Sequence, residues 1–256
     1  MNPKAAGAWM HISRRNFLHG MTASAGTLWS SRVTGLDNLA GRQFDCVVLD
    51  LTSHCVLGES LQGYQAAFAD EHHCLAADRL DSRWRCRMVI APGVGMMDPA
   101  IGRMLLELVQ GGTRLVLESG AGFLSPAETA AHQRMLFRCF ELEVEPPVDL
   151  WSGKLADDDL FASRSSPHRR KTIDGRQAIP YVRYVWPREI MVRGFTRVIP
   201  VSAKLGEVIG WVGSLAVASK RPVGRGTLIF LGSPLGPALR ASDPEARSWL
   251  QSVVSV

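Results

Sequence analysis

Four side chains with the chemistry of a hydrolase follow two apolar runs of the chain. Glu118 and Ser119 stand between one such run and the turn Gly120-Ala121-Gly122. Asp50 lies at the end of another apolar run, and His54 follows that run by a few residues. Both residues lie near the start of the predicted domain. A serine hydroxyl becomes a nucleophile when a histidine takes its proton, and a carboxylate can orient that histidine. Ser119 with His54 as its base would form such a site, and Asp50, His54 and Glu118 together are the alternative catalytic group.

The same residues also have an ordinary structural interpretation. Serine and glutamate beside a glycine-rich turn often hydrogen-bond the turn or cap a helix. His54 would then be a polar loop residue. A histidine nitrogen close to Ser119 Oγ would favour the hydrolase. An activity that is unchanged in Ser119→Ala would exclude it.

The elements that position these residues alternate between strands and helices. Strands are predicted at 44–51, 73–77, 87–91, 113–117, 142–144 and 227–231, and helices at 61–70, 98–111, 125–140 and after 243. This alternation is typical of a mostly parallel, flavodoxin-like α/β sheet with helices on both faces. Loops after parallel strands meet at the carboxyl edge of the sheet, where open α/β folds bind ligands. We therefore expect the four candidate residues near that edge.

The C-terminal third has a different pattern. Alternating residues predict antiparallel strands within 190–200, 208–212 and 215–219, which either extend the sheet or form an edge hairpin. A polar, irregular stretch at about 149–189 precedes them and is predicted to be an insertion. The sequence thus indicates one α/β domain at 36–256, preceded by a separate segment at 1–35.

The N-terminal segment matches an export signal. Ser13-Arg14-Arg15-Asn16-Phe17-Leu18 fits the twin-arginine pattern S-R-R-x-F-L, in which Arg14, Arg15, Phe17 and Leu18 are the defining residues. A weakly apolar stretch follows, and Ala23-Ser24-Ala25 offers a cleavage site. The pattern predicts periplasmic or other export, with the twin-arginine translocase as a partner.

Charge and composition exclude several function classes. The 256-residue chain carries a net charge of +5, but four cations and no acidic residue lie in residues 1–32, so the rest is near neutral. A near-neutral body lacks the footprint of a nucleic-acid binder. The sequence contains no uninterrupted apolar stretch of about 18 residues, so it predicts no stable membrane span.

The sequence names no cofactor. Gly93-Val94-Gly95 and Gly120-Ala121-Gly122 complete neither G-x-G-x-x-G nor a P-loop. In His72-His73-Cys74, neighbouring side chains on a strand point to opposite faces, so we predict no metal site there.

Residues 89–123 and 224–236 resemble the class I glutamine amidotransferase-like fold. The shared features are a strand, Pro92-Gly93, a helix, Gly111-Gly112, a second strand and a glycine-rich turn, with GRGTLIFLGSPLG as the last strand. The resemblance is greatest to non-catalytic branches, such as the trimerisation domain of certain β-galactosidases. It implies a domain that binds a partner protein or a small ligand, or that forms a homo-oligomer.

The catalytic residues of that family are missing. Catalytic members place a cysteine on a sharp strand-to-helix turn, and Gly120 occupies the corresponding position. The late histidine is also absent, because no histidine follows Leu231. The resemblance therefore implies a non-catalytic domain without glutaminase activity.

A carbohydrate-binding accessory protein is a further alternative. Trp84, Trp151, Trp186 and Trp211 could form a stacking surface for sugars, since flat aromatic rings suit sugar faces. That hypothesis requires at least two of these rings to be exposed on one face.

Overall fold

A nine-stranded mixed sheet is the main element of the part of the chain that the structure describes. The computed structural model describes residues 43–51, 58–68, 73–76, 80, 85–120, 125–150, 181–195, 197–202 and 206–256. The strands are β1 (Gln43–Asp50), β2 (His73–Ala76), β3 (Arg85–Val94), β4 (Arg114–Ser119), β5 (Val148–Asp149), β6 (Tyr181–Tyr184), β7 (Ile190–Arg193), β8 (Arg197–Val198), β9 (Glu207–Val212), β10 (Leu215–Val223) and β11 (Gly226–Leu231). The helices are α1 (Gly58–Phe68), α2 (Pro99–Gly111), α3 (Pro126–Phe140), α4 (Gly236–Arg240) and α5 (Pro244–Ser255).

The sheet order is β2-β1-β3-β4-β11-β10-β9-β6-β7, and β5 pairs with β8 in a separate two-stranded sheet. The first five strands are mutually parallel, and the last four continue the sheet in antiparallel fashion. The parallel half has the 2-1-3-4-5 order of a flavodoxin-like sheet. The predicted fold class is confirmed, and the later strands extend the sheet.

The parallel strands are buried on both faces. Val47, Val48 and Leu49 follow one another in β1, and none of them exposes any side-chain surface. Consecutive strand residues point to opposite faces, so helices must cover both sides of the sheet. The continuous apolar runs in the sequence indicated this arrangement.

Helix caps define where the long helices begin. Asp98 accepts a hydrogen bond from Ala100 N at 2.7 Å, and Ser125 Oγ accepts one from Glu128 N at 3.2 Å. Asp243 Oδ1 caps α5. Each cap satisfies backbone donors that the first turn leaves unpaired. All three predicted starts are confirmed.

Two strand boundaries differ from the sequence prediction. Pro92-Gly93 does not end β3, because the register shifts there and pairing resumes at Val94. Gly93 has φ 55°, a conformation that glycine adopts without a side-chain clash. The predicted strand at 142–144 is wrong: Val144 forms only an isolated bridge to Val201.

Several predicted features lie outside the described residues. These are the export motif with Arg14, Arg15, Phe17 and Leu18, the loop with His54, and residues 151–180 of the predicted insertion. Within the described ranges, no helix combines the length and hydropathy needed to span a bilayer.

Candidate functional site

Glu118 and Ser119 lie at the carboxyl end of β4 and are both fully buried. Their side chains point to opposite faces of the sheet, as those of strand neighbours do. Glu118 contacts α1 and the start of α4, whereas Ser119 contacts α3. The two residues therefore belong to separate clusters, and Glu118 does not assist Ser119.

Ser119 forms a hydrogen bond with a histidine that the sequence analysis did not select. Ser119 Oγ lies 2.7 Å from His132 Nε2, and His132 Nδ1 contacts the carbonyl oxygen of Gly95. A carbonyl can only accept, so Nδ1 carries the proton and Nε2 accepts from the Ser119 hydroxyl. This tautomer, assigned from the hydrogen-bond network, is the one that a serine hydrolase uses.

The surroundings of this pair do not favour attack by Ser119. His132 is 1% exposed, and burial lowers the pKa of its imidazole to about 4, which makes it a weak base at neutral pH. The backbone N–H of Gly120, which follows the serine, donates to Val94 O at 2.9 Å. Serine hydrolases of α/β folds aim that N–H at the developing oxyanion. The pair instead joins the ends of β3 and β4 to α3.

Glu118 joins three elements on the other face. Its Oε2 accepts hydrogen bonds from Tyr64 Oη at 2.7 Å, from Leu235 N at 3.0 Å and from Gly236 N at 3.1 Å. Tyr64 belongs to α1, and the two backbone donors lie at the start of α4. The carboxyl therefore holds both helices against the end of β4.

Burial raises the pKa of the Glu118 carboxyl, and the hydrogen bonds from Ser60, Tyr64 and the two backbone amides oppose that rise. Ser60 lies close enough to the Glu118 carboxyl to favour its ionised form. Among the described residues, neither Ser60 Oγ nor Glu118 Oε1 has a hydrogen-bond partner of good geometry. Desolvation is the largest effect, so the net result is a raised pKa.

Two glycines allow α1 and α4 to approach this carboxyl. A Cβ atom on Gly63 would lie 1.9 Å from Gly236 O, and one on Gly236 would lie 2.3 Å from Ser60 Cα. Both distances are far below van der Waals contact, so only glycine fits at either position. The close helix contact explains how backbone amides and a tyrosine reach the same oxygen.

Asp50 is not brought to Ser119, and His54 lies outside the described residues. Val48 of β1 pairs with Ile90 of β3, which pairs with Val116 of β4. Two residues further along these strands, Asp50 and Glu118 therefore lie two strands apart and on the same face of the sheet. Asp50 is half-buried. Two strand spacings separate their backbones by about 10 Å. The pairing of Ser119 with His54 stays a prediction, since residues 52–57 are outside the described ranges.

Helical periodicity could have identified His132. Thr129, His132 and Leu136 recur at the spacing of one helix face, and all three are buried. This face packs on the end of β4, so the histidine reaches Ser119. The predicted base, His54, lies in a loop after a strand, whereas His132 lies in the helix after the glycine-rich turn.

The two tryptophans that can be assessed do not form an open sugar platform. Trp186 and Trp211 are half-buried, and a cation lies over each ring: Lys220 Nζ at 4.6 Å and the Arg183 guanidinium at 5.9 Å. Trp84 and Trp151 are outside the described ranges. No cluster of three or more His, Cys, Asp or Glu side chains suited to a metal ion occurs in the part of the chain that the structure describes.

Comparisons with known proteins identify relatives of the fold. No protein-family model matches the chain, and no curated protein matches it in sequence. Among solved structures, a β-galactosidase from Rahnella sp. R3 is similar with a TM-score of 0.54 and 10% identity, over 83% of this chain. An exo-β-1,4-mannosidase from an Opitutaceae bacterium gives a TM-score of 0.51 and 10% identity over 81% of this chain.

The chain corresponds to only part of these enzymes. It covers 31% of the Rahnella β-galactosidase and 35% of the mannosidase. A cytoplasmic protein from Salmonella typhimurium LT2 has a TM-score of 0.52 and 8% identity, and the match covers 84% of this chain and 98% of that protein. At these identities the likeness is one of fold. The expected similarity to a β-galactosidase domain is confirmed at that level.

Proposed function

We propose that this protein is an exported, non-catalytic α/β domain that binds a partner protein or a small ligand as an accessory in carbohydrate metabolism. The observation that carries the proposal is the state of Ser119. Its hydroxyl is fully buried and donates to His132, while the adjacent Gly120 N–H is bonded to Val94 O. A nucleophile needs access to substrate and a free oxyanion donor beside it. Ser119 is buried, and among the described residues the N–H that follows it is already bonded to Val94 O.

The amidotransferase-like pattern supports the same conclusion. Gly120 stands where catalytic members of that family carry a nucleophilic cysteine, and no histidine follows Leu231. Glu118, one of the two acidic candidates, is occupied with Tyr64 and the start of α4. These residues stabilise the carboxyl end of β4.

The link to carbohydrates rests on the structural relatives. Domains of this fold form about a third of the β-galactosidase and the mannosidase. In the Salmonella protein, the same fold accounts for nearly the whole chain. The fold is thus found both inside carbohydrate-active enzymes and by itself, which supports an accessory role for this chain.

A panel of chromogenic esters, amides and glycosides tests the non-catalytic proposal. The full chain should hydrolyse none of them faster than the Ser119→Ala variant does. Turnover by the wild-type protein that disappears in Ser119→Ala would overturn the proposal. Ser252→Ala is a matched control, because Ser252 lies on α5 and donates to Ser248 O away from β4.

The second candidate function is an exported hydrolase with Ser119 as nucleophile and His132 as base. The 2.7 Å contact and the assigned tautomer favour it. It requires Ser119 to become accessible in a state other than the one described. It predicts esterase activity lost in both Ser119→Ala and His132→Gln and retained in Ser252→Ala.

Export is proposed from the N-terminal motif. Replacing Arg14 and Arg15 together by lysine should retain the full chain inside the bacterial cytoplasm, as measured by fractionation and immunoblotting. Periplasmic recovery that is equal for the variant and the wild type would contradict twin-arginine export.

A further inference from the structure

A cavity of about 360 Å³ lies beyond the C-terminal end of β11. The segment after β7, the loop after β11, helix α4 and the start of α5 form its walls. Its lining includes Arg193, Phe195, Pro234, Pro237, Ser242 and Asp243. The volume falls within the roughly 300–1,000 Å³ of small-molecule sites, and the carboxyl edge is where open α/β sheets bind ligands.

The cavity presents one cation and one anion that retain hydrogen-bonding capacity. The guanidinium of Arg193 forms no ion pair or side-chain hydrogen bond within the described part of the chain. Asp243 Oδ1 accepts from Glu245 N and Ala246 N at 3.0 Å each, and both of these bonds leave Oδ2 available. Donors and an acceptor therefore line the same space.

A hydroxyl adds a third polar group. Ser242 Oγ accepts a hydrogen bond from Arg247 at 3.2 Å, so its own proton can still be donated. Polar groups of three kinds, rather than one repeated charge, surround the cavity. Such a set can pair with several hydroxyl groups of one ligand.

The remaining walls are apolar and rigid. Phe195 is half-buried, and its backbone N–H donates to Ser233 Oγ at 3.3 Å, which fixes the chain beside the ring. Pro234 and Pro237 have restricted backbones. A preformed apolar wall lowers the entropy cost of binding a flat, rigid molecule.

We propose that this cavity binds a neutral carbohydrate, which deepens the proposed function and rests on it. The positive charge of Arg193 and the negative charge of Asp243 offset each other, so the cavity as a whole gives little net attraction to an ion of either sign. A sugar ring offers a C–H face to Phe195 and the prolines, and hydroxyls at its edge to the three polar groups.

Calorimetric titration of the full chain tests the proposal. The neutral probes are methyl β-galactoside, methyl α-mannoside, lactose and cellobiose, and the charged probes are galacturonate and inorganic phosphate. At least one neutral sugar should bind, and Arg193→Ala should weaken it about tenfold by removing charge-assisted hydrogen bonds. Asp243→Asn retains the capping oxygen and should also weaken binding. Arg183→Ala, which alters an exposed arginine of β6 outside the cavity, should not.

Each outcome decides the proposal. Neutral-sugar binding that both cavity variants weaken and Arg183→Ala does not would support it. Binding that neither cavity variant changes would place the ligand elsewhere and overturn the proposal, while leaving a non-catalytic binding protein intact. Binding of phosphate or galacturonate alone, or of none of the probes, would also overturn it. Failure of the proposed function would appear separately, as Ser119-dependent turnover. Thermal melts of each variant show whether it is folded.

Discussion

Replacing Gly63 by alanine should destabilise the protein strongly, although alanine is the better helix former. In an exposed helix interior the change would stabilise by about 1 kcal/mol. In α1, however, the new Cβ would lie 1.9 Å from Gly236 O. The atom it meets is backbone, so no side-chain rotation can relieve the clash, and α1 and α4 must separate.

The magnitude follows from the contacts between these helices. Overpacking of a dense core costs about 1–3 kcal/mol. Separation also weakens the bonds from Leu235 N and Gly236 N to Glu118, and an unsatisfied buried polar group costs about 1–3 kcal/mol more. We expect a total loss of about 2–6 kcal/mol, a large part of the roughly 5–15 kcal/mol that stabilises a typical domain.

Urea unfolding followed by circular dichroism measures this loss. Gly58→Ala is the matched control, because Gly58 opens the same helix and a Cβ there would meet no atom within 4 Å. The control should unfold near the wild-type midpoint, and Gly63→Ala at a much lower urea concentration. A Gly63→Ala variant as stable as the wild type, with the same m-value, would refute the close packing of α1 on α4.

Three further predictions concern the two buried clusters. Glu118→Gln should cost less than Glu118→Ala in urea unfolding, because glutamine keeps an oxygen that can accept the hydrogen bonds from Tyr64 and the start of α4. Glu118→Ala should cost about 3 kcal/mol or more, and equal losses in the two variants would contradict this. Because the pKa of Glu118 is raised in the folded protein, the stability that Glu118 contributes falls as pH rises above about 4.3, the pKa in the unfolded chain. Glu118→Gln should remove this decrease of unfolding free energy with pH. An unchanged decrease in the variant would count against the raised pKa. Burial lowers the pKa of His132 to about 4. The folded protein should therefore lose up to about 3 kcal/mol of stability as pH falls from about 6.5 to 4. In His132→Gln this dependence of stability on pH should disappear.

The sequence predicted the parallel core well because its signals are local. Continuous apolar runs such as Val47–Leu49 indicate strands buried on both faces, and Asp98, Ser125 and Asp243 are side chains that cap helices within a few residues. Such features depend on neighbours in the chain. Predictions made from such local signals therefore agree with the folded structure in most places.

The candidate site was harder to predict because it depends on distant contacts. Glu118 bonds Leu235 and Gly236, more than a hundred residues away, and no local pattern reports that contact. His132 was identifiable only by combining a helix face with the end of β4. The Pro92-Gly93 bulge in β3 likewise depends on the neighbouring strand, which restores pairing at Val94.

The reactivity of Ser119 tests the central claim most directly. Native full-length protein is treated with a fluorophosphonate, which forms a covalent adduct with activated serines, and the modified residue is mapped by mass spectrometry. We predict no adduct at Ser119, since its hydroxyl is buried against His132 and the Gly120 N–H is bonded to Val94 O. Stoichiometric labelling of Ser119 that His132→Gln abolishes would contradict the account and identify the protein as a hydrolase.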